Sequence, residues 1–151
     1  MEDFVITTAS NEERTWAAQT MANSQPWKKL GVTFGQCLKT CNDPEYLIFI
    51  AHSNNLPCGA IVMQQRGVAG SPYVKSIVVP ENFKEKGIGT ALMRFVEEYF
   101  RAISKHMFLC VSSFNKAAQV FYKRLGYEPV GEFKDYIIEG ESEILMHNKL
   151  K

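Results

Sequence analysis

The feature that most constrains this chain is one continuous stretch, residues 73–103, in which a β-rich run turns through two glycines into an amphipathic helix. Tyr73 to Val79 is rich in β-branched residues and is closed by Pro80, which cannot extend a central strand. From Gly87 to about Ile103, the residues Ile88, Leu92, Phe95, Val96, Tyr99 and Ile103 recur at helical spacing and define one apolar face. A helix of this kind must fold back on a sheet to bury that face, which predicts an α/β arrangement. The loop between the two elements carries Lys84, Lys86, Gly87 and Gly89. First-turn amides of a helix lack internal partners and carry the positive end of its dipole. Two glycines let a bulky anion approach that backbone, two lysines add charge, and a pyrophosphate is a fitting guest.

Several phosphate motifs share this look. A P-loop places a lysine directly after its last glycine, and neither Gly87 nor Gly89 is followed by one. The dinucleotide fingerprint needs a third glycine, whereas Thr90, Ala91 and Leu92 follow here; the next apolar run, Met107 to Ser112, also ends without an acidic residue. Taken alone, Gly87-Ile88-Gly89 is equally consistent with a plain turn that caps a helix.

The rest of the chain supplies the partners such a segment needs. Phe4 to Thr8 opens as a strand, and Ser10 with Glu13 three residues on forms a capping box for a helix over 11–22. Thr33 to Thr40 reads as a second short helix after the break at Pro26-Trp27. Tyr46 to His52 and Cys58 to Gln65 read as a hairpin about Ser53-Asn54-Asn55, and Gly67, Gly70 and Pro72 mark the next connection. Met107 to Ser112 is a buried strand and Asn115 to Arg124 a helix stopped by Leu125-Gly126. Tyr127 to Ile138 and Glu143 to Asn148 close the chain as strands about Glu139-Gly140-Glu141. The order predicts a mixed sheet flanked by helices within one domain, residues 1–151, with no internal repeat.

A second motif lies one strand further on: Asn115, Ala118, Tyr122, Gly126 and Tyr127, spaced as Asn-x-x-Ala-x-x-x-Tyr-x-x-x-Gly-Tyr. Together with Lys84-Glu85-Lys86-Gly87-Ile88-Gly89, which resembles an Arg/Gln-x-x-Gly-x-Gly/Ala pattern after a strand ending in Val and Pro, it resembles the GNAT superfamily of N-acetyltransferases. Lys84 stands where the family usually has Arg or Gln, and it supplies the same charge. The resemblance implies a mixed, mostly antiparallel sheet of six to seven strands flanked by about four helices. Two splayed central strands would form a cleft for acetyl-coenzyme A, the acetyl donor. It further implies that Ile77, Val78 and Val79 pair with the pantetheine arm through backbone groups. The loop Lys84, Glu85, Lys86, Gly87, Ile88, Gly89 and Thr90 would cradle the pyrophosphate. Asn115 would contact the pantetheine or position its helix, and Tyr122 would protonate the departing thiolate. Read without the resemblance, Tyr122 is a packed aromatic and Asn115 a helix cap.

The implied reaction is direct attack by a primary amine, of a small molecule or a peptide N-terminus, on the thioester. A strand amide near Val79 would serve as oxyanion donor. Family members that acetylate protein N-terminal alanines carry a glutamate where this chain has Cys110, which implies another base, Glu143 or Glu132 through water. Cys110 itself reads as a small buried hydrophobe. Trp27, Lys28, Phe34, Tyr136 and the acidic turn Glu139 to Glu143 fall where the family chooses its acceptor. The other class of function on such a fold is a module that binds acyl-CoA as a sensor or recruits a partner without turnover.

Bulk properties narrow the partners. Seventeen basic and sixteen acidic residues nearly cancel, so neither nucleic acid nor an anionic membrane is expected as a partner. The start MEDFVITTAS lacks the basic and apolar regions of a secretion signal, and the four cysteines read as reduced thiols, so a cytoplasmic protein is expected. Three scattered histidines and Cys37-x-x-x-Cys41 do not make up a ligand set, so no metal is expected. Open sheet edges near the C-terminus are compatible with a homodimer.

Overall fold

The computed structural model describes residues 4–151; the first three positions of MEDFVITTAS, the segment expected to lack a secretion signal, lie outside them. Strand β1 (Val5–Thr8) leads into helix α1 (Asn11–Ala22). The expected capping box is formed: the Ser10 hydroxyl accepts from the Glu13 amide, and the Glu13 carboxylate accepts from the Ser10 amide at 2.9 Å. Helices α2 (Trp27–Leu30) and α3 (Phe34–Cys41) follow, the latter capped by Thr33 in the same reciprocal way. Strands β2 (Tyr46–Ser53), β3 (Leu56–Val68) and β4 (Ser71–Val78) form a meander. Asn54 and Asn55 both adopt positive φ in the β2–β3 turn, the conformation a two-residue hairpin needs. Helix α4 (Ile88–Arg101), β5 (His106–Ser112), α5 (Lys116–Arg124), β6 (Glu128–Lys134) and β7 (Ser142–Lys149) complete the chain.

Among the described residues seven strands make one sheet in the order β1-β2-β3-β4-β5-β7-β6, antiparallel throughout except for the parallel pair β4/β5. Alternation along each strand sends side chains to two faces. Phe49 and Ala51 of β2 join a core with Leu92, Val96 and Phe100 of α4 and Tyr122 of α5. Ile48 and Ile50 join a separate core with Ala17, Ala18 and Met21 of α1 and Cys37 and Cys41 of α3. The sheet is thus sandwiched, with α4 and α5 on one face and α1 and α3 on the other.

Some expectations need correction. Among the described residues the expected set of about four helices is joined by the single turn α2 after Pro26, which makes five α-helices. Gly67 and Pro72 lie inside β3 and β4, and only Ala69-Gly70 turns. Strand β6 stops at Lys134, since Asp135 takes a positive φ and the chain leaves the ladder. The buried face of α4 is also rotated: Ile88, Leu92, Met93, Val96, Glu97 and Phe100 are buried, while Tyr99 and Ile103 are exposed. Tyr99 lies on the rim of the core, its ring against Phe49, Phe95 and Phe100.

Candidate active site

The site begins with a break in the sheet. Parallel pairing of β4 with β5 is limited to Tyr73 with Phe108 and Val74 with Leu109. Beyond that point β4 stays on β3 and β5 stays on β7, and the two strands part. The divergence coincides with a bulge: Met63 of β3 faces Val74 but Val62 faces Ser76, so Lys75 is the extra residue on β4. A bulge bends its strand and reverses the parity of side chains beyond it. Val74 accordingly packs with the α4/α5 core, whereas Val78, four residues on, packs with the α1/α3 core.

The gap opens into a cleft of about 1060 Å³. Its α4 side is lined by Lys84, Glu85, Gly87, Ile88, Gly89 and Thr90. Gly87 is the N-cap of α4 with φ +83, and no side chain caps this end. The first intrahelical bond is from the Ala91 amide to the Gly87 carbonyl, so the amides of Ile88, Gly89 and Thr90 have no acceptor within the helix. Ile88 contributes only backbone here, its side chain being buried in the core. Lys84 pairs with Glu81 at 3.1 Å. Lys86 is not among the lining residues: its ammonium lies 5.7 Å from the Phe83 ring centroid. Ile77, Val78 and Val79 line the edge of β4 that β5 has left, where unpaired backbone groups are available to an extended ligand.

Asn115 and Tyr122 meet the cleft from α5. Asn115 caps that helix, its Oδ1 accepting from the Ala118 amide at 3.2 Å. Tyr122 is buried between Phe121 and Tyr127. Its hydroxyl makes no hydrogen bond among the described residues, and burial pushes its pKa above the ordinary tyrosine value, so it stays a protonated donor.

The other face of the gap follows from strand parity. Met107, Leu109 and Val111 of β5 point to the α4/α5 core, so Cys110 and Ser112 point away from it. Opposite them on β7 stand Leu145 and Glu143. Ser112 Oγ donates to Glu143 Oε2 at 2.5 Å. Cys110 is half-buried and lines the cleft rather than lying in the core, a correction to its reading as a buried hydrophobe. Burial holds its thiol above the ordinary value, although the hydrogen bond with Tyr73 acts the other way. A thiol kept protonated is a poor nucleophile. Of the two carboxylates expected as alternative bases, Glu143 lines the cleft, whereas Glu132 is exposed on β6 and does not. Trp27 and Tyr136 line it as well; Lys28 and Phe34 do not. What the sequence reading missed is the wall made by Leu30, Val32, Phe133 and Ile137, residues that no local pattern connects.

A mostly antiparallel sheet with one parallel pair that parts midway, beside an uncapped glycine helix start, is the arrangement that the resemblance to GNAT acetyltransferases implies, and it differs from the parallel sheet of a doubly wound fold. Comparison with known proteins bears this out. The model of the acetyltransferase (GNAT) family matches residues 9–127. The chain therefore belongs to the GNAT acetyltransferases. An uncharacterized N-acetyltransferase of Methanocaldococcus jannaschii is 34% identical over 82 residues, 53% of each chain. An N-alpha-acetyltransferase of Sulfurisphaera tokodaii is 36% identical over 78 residues, 49% of this chain and 46% of the relative. The matches thus span about half the length of these curated relatives. The fold matches a GNAT-family structure from Desulfovibrio desulfuricans with a TM-score of 0.81 at 14% identity, covering 99% of this chain and 100% of that one. It also matches an aminoglycoside 6′-N-acetyltransferase complexed with coenzyme A, with a TM-score of 0.77 at 16% identity and 97% of each chain covered. Among the described residues no group of three or more potential ligands could hold a metal ion, and no helix is long and apolar enough to cross a membrane.

Proposed function

We propose that this chain, as a single domain, transfers the acetyl group of acetyl-coenzyme A to a primary amine by direct attack. The observation that carries the proposal is the meeting, in one cleft, of the parted β4 edge, the uncapped start of α4 and the Tyr122 hydroxyl. The relatives named above, an N-alpha-acetyltransferase and an aminoglycoside acetyltransferase with bound coenzyme A, support the reaction class.

The pyrophosphate fits the α4 amides and Lys84, and the pantetheine arm fits the edge at Ile77 to Val79, so that the thioester reaches the gap below Tyr122. The amine nitrogen attacks the thioester carbonyl, whose oxygen takes up negative charge against a strand amide near Val79. The C–N bond forms, the C–S bond breaks, and the products are an amide and the free thiol of coenzyme A. An amine that binds as an ammonium gives up two protons. Glu143 takes the first, through water, to leave the neutral nucleophile. The second ends on sulfur. A thiolate with a pKa near about 8.5 is a weaker base than the Tyr122 phenolate. Tyr122 therefore donates to sulfur only as it is resupplied from the amine nitrogen, a relay that leaves the phenol neutral at the end.

Thiol release from acetyl-coenzyme A with an amine panel tests this. Tyr122→Phe is expected to lower kcat at least about tenfold, equal to about 1.4 kcal/mol of barrier, with KM for acetyl-coenzyme A little changed. Turnover unchanged in the variant would remove Tyr122 from the mechanism. Coenzyme A binding with no turnover on any amine would favour a sensor module instead.

A further inference from the structure

The two faces of the gap are chemically unlike. On the α4/α5 side stand the helix amides, Lys84 and Arg124, which suit a phosphorylated donor. On the α1/α3 side one wall is Trp27, Leu30 and Val32, and the facing wall is Phe133, Tyr136 and Ile137. These walls present mainly carbon, with the uncharged Ser24, Gln25 and Thr40 among the other lining residues, and Trp27 itself packs against the α1/α3 core. The floor is Tyr73, Cys110, Leu145 and Glu143. Its polar groups are largely engaged with one another, Tyr73 with Cys110 and Glu143 with Ser112. Charged side chains lining the whole cleft are Lys75, Lys84, Glu85, Arg124 and Glu143. Lys84 and Glu85 belong to the glycine loop and Arg124 to α5, which leaves one carboxylate, Glu143, and one ammonium, Lys75, near the floor. The carboxylates of the loop at the rim, Asp135, Glu139 and Glu141, are not among the residues lining the cleft.

Resting on the proposed acetyl transfer, we infer that the acceptor is a primary amine with a single positive charge on an apolar, aromatic-sized body, not a polyamine or aminoglycoside polycation. Glu143 can neutralise one ammonium. A second cation would meet Lys75 and the carbon walls with no counter-charge, and burying an unpaired charge is costly. An apolar body, by contrast, fills the space between Trp27 and Tyr136 at the cost of little but ordered water. The same walls favour the chemistry, because desolvation disfavours an ammonium and raises the share of neutral nucleophile.

The test uses the whole chain with 2-phenylethylamine and n-hexylamine set against spermidine and kanamycin, matched in concentration. Amide formation is expected with kcat/KM for 2-phenylethylamine at least tenfold above that for either polycation. Tyr136→Ala is expected to raise KM for 2-phenylethylamine severalfold and leave KM for acetyl-coenzyme A unchanged. Tyr136 is 68% exposed, so this variant keeps its fold where Trp27→Ala risks losing it. Calorimetric titration of 2-phenylethylamine into the coenzyme A-loaded protein reads the same site without turnover. Binding weakened by Tyr136→Ala but with no acetylation would uphold the pocket and overturn the proposed reaction. Polycations turned over as well as the aralkylamine, or no binding of either apolar amine, would overturn the inference itself.

Discussion

Among single residues, Tyr127 and Tyr122 form an instructive pair. Both are buried phenols at the end of one motif, with ring centroids 6.2 Å apart. Tyr127 donates to Glu97 Oε2 at 2.7 Å, and Glu97, 2% exposed, receives Arg94 on its other oxygen at 2.7 Å. Tyr122 has no such partner among the described residues. The two hydroxyls therefore separate stability from chemistry. Tyr127→Phe strips a donor from a buried carboxylate and is expected to cost about 1.5–3 kcal/mol, the range for hydrogen bonds to charged groups. At about 2–4 °C per kcal/mol, a melting curve resolves the loss. Tyr122→Phe removes a hydroxyl without a protein partner and should leave the same curve within about a degree. A melting point that fell equally for both would mean that Tyr122 is a structural residue after all. The sequence marks these tyrosines only as motif positions. The ion pair behind Tyr127 is invisible there, because Glu97 sits on α4 where spacing alone would make it a surface charge.

At the scale of elements, α4 is held to the sheet by a close approach. A Cβ built on Gly59 of β3 would lie 2.7 Å from Ile88 Cγ2 and 3.1 Å from Leu92 Cδ1. The helix therefore packs on bare backbone, one turn from its uncapped start. Gly59→Ala is expected to destabilise by about 1–3 kcal/mol through overpacking and to displace the start of α4. Coenzyme A affinity, measured by titration, should fall with stability; affinity retained in a destabilised variant would dissociate that helix start from the ligand. The strand–turn–helix at 73–103 was legible because the period changes from two to 3.6 within it and the glycines mark the change. The face of α4 was not, since Met93 and Phe100 compete with Phe95 and Tyr99 for one apolar stripe, and only the packed sheet decides between them. The same holds for β5. An unbroken apolar run conceals which residues face the cleft, and the bulge at Lys75 changes the parity of β4 without a sequence signal of its own.

For the molecule as a whole, acid sensitivity gathers at two points well separated in the strand order, one at β2 and one at β5 and β7. His147 stacks on His106, with 2.8 Å between ring nitrogens, and contacts Phe108. Burial, then the neighbouring His106, lowers its pKa from the ordinary 6.5. Glu13 joins α1 to β2 through His52 at 2.5 Å while it caps Ser10. Its pKa lies below the ordinary 4.5, since those hydrogen bonds outweigh the opposing effect of burial. Both groups are depressed in the folded state, so both contribute stability that is full above their unfolded pKa values and lost as pH falls through the folded ones. Thermal stability should therefore decline in two steps on acidification, one beginning near pH 6.5 and one below pH 4.5. His147→Gln is expected to remove the upper step and spare the lower; an unchanged upper step would locate it elsewhere. These contacts join residues far apart in the chain, as do Trp27 and Tyr136 across the cleft. A sequence read locally gives the motif-bearing half of the site and leaves the half assembled by topology unseen.

The parting of β4 from β5 makes a passage through the sheet rather than a pocket against it, with one mouth on each face. On the proposed reading, donor and acceptor enter by separate doors, and neither product must wait for the other to clear its way. Such a passage suits a catalyst that brings both reactants together at once, with initial-rate lines that converge, and it gives the acetyl group no cause to rest on the protein between them.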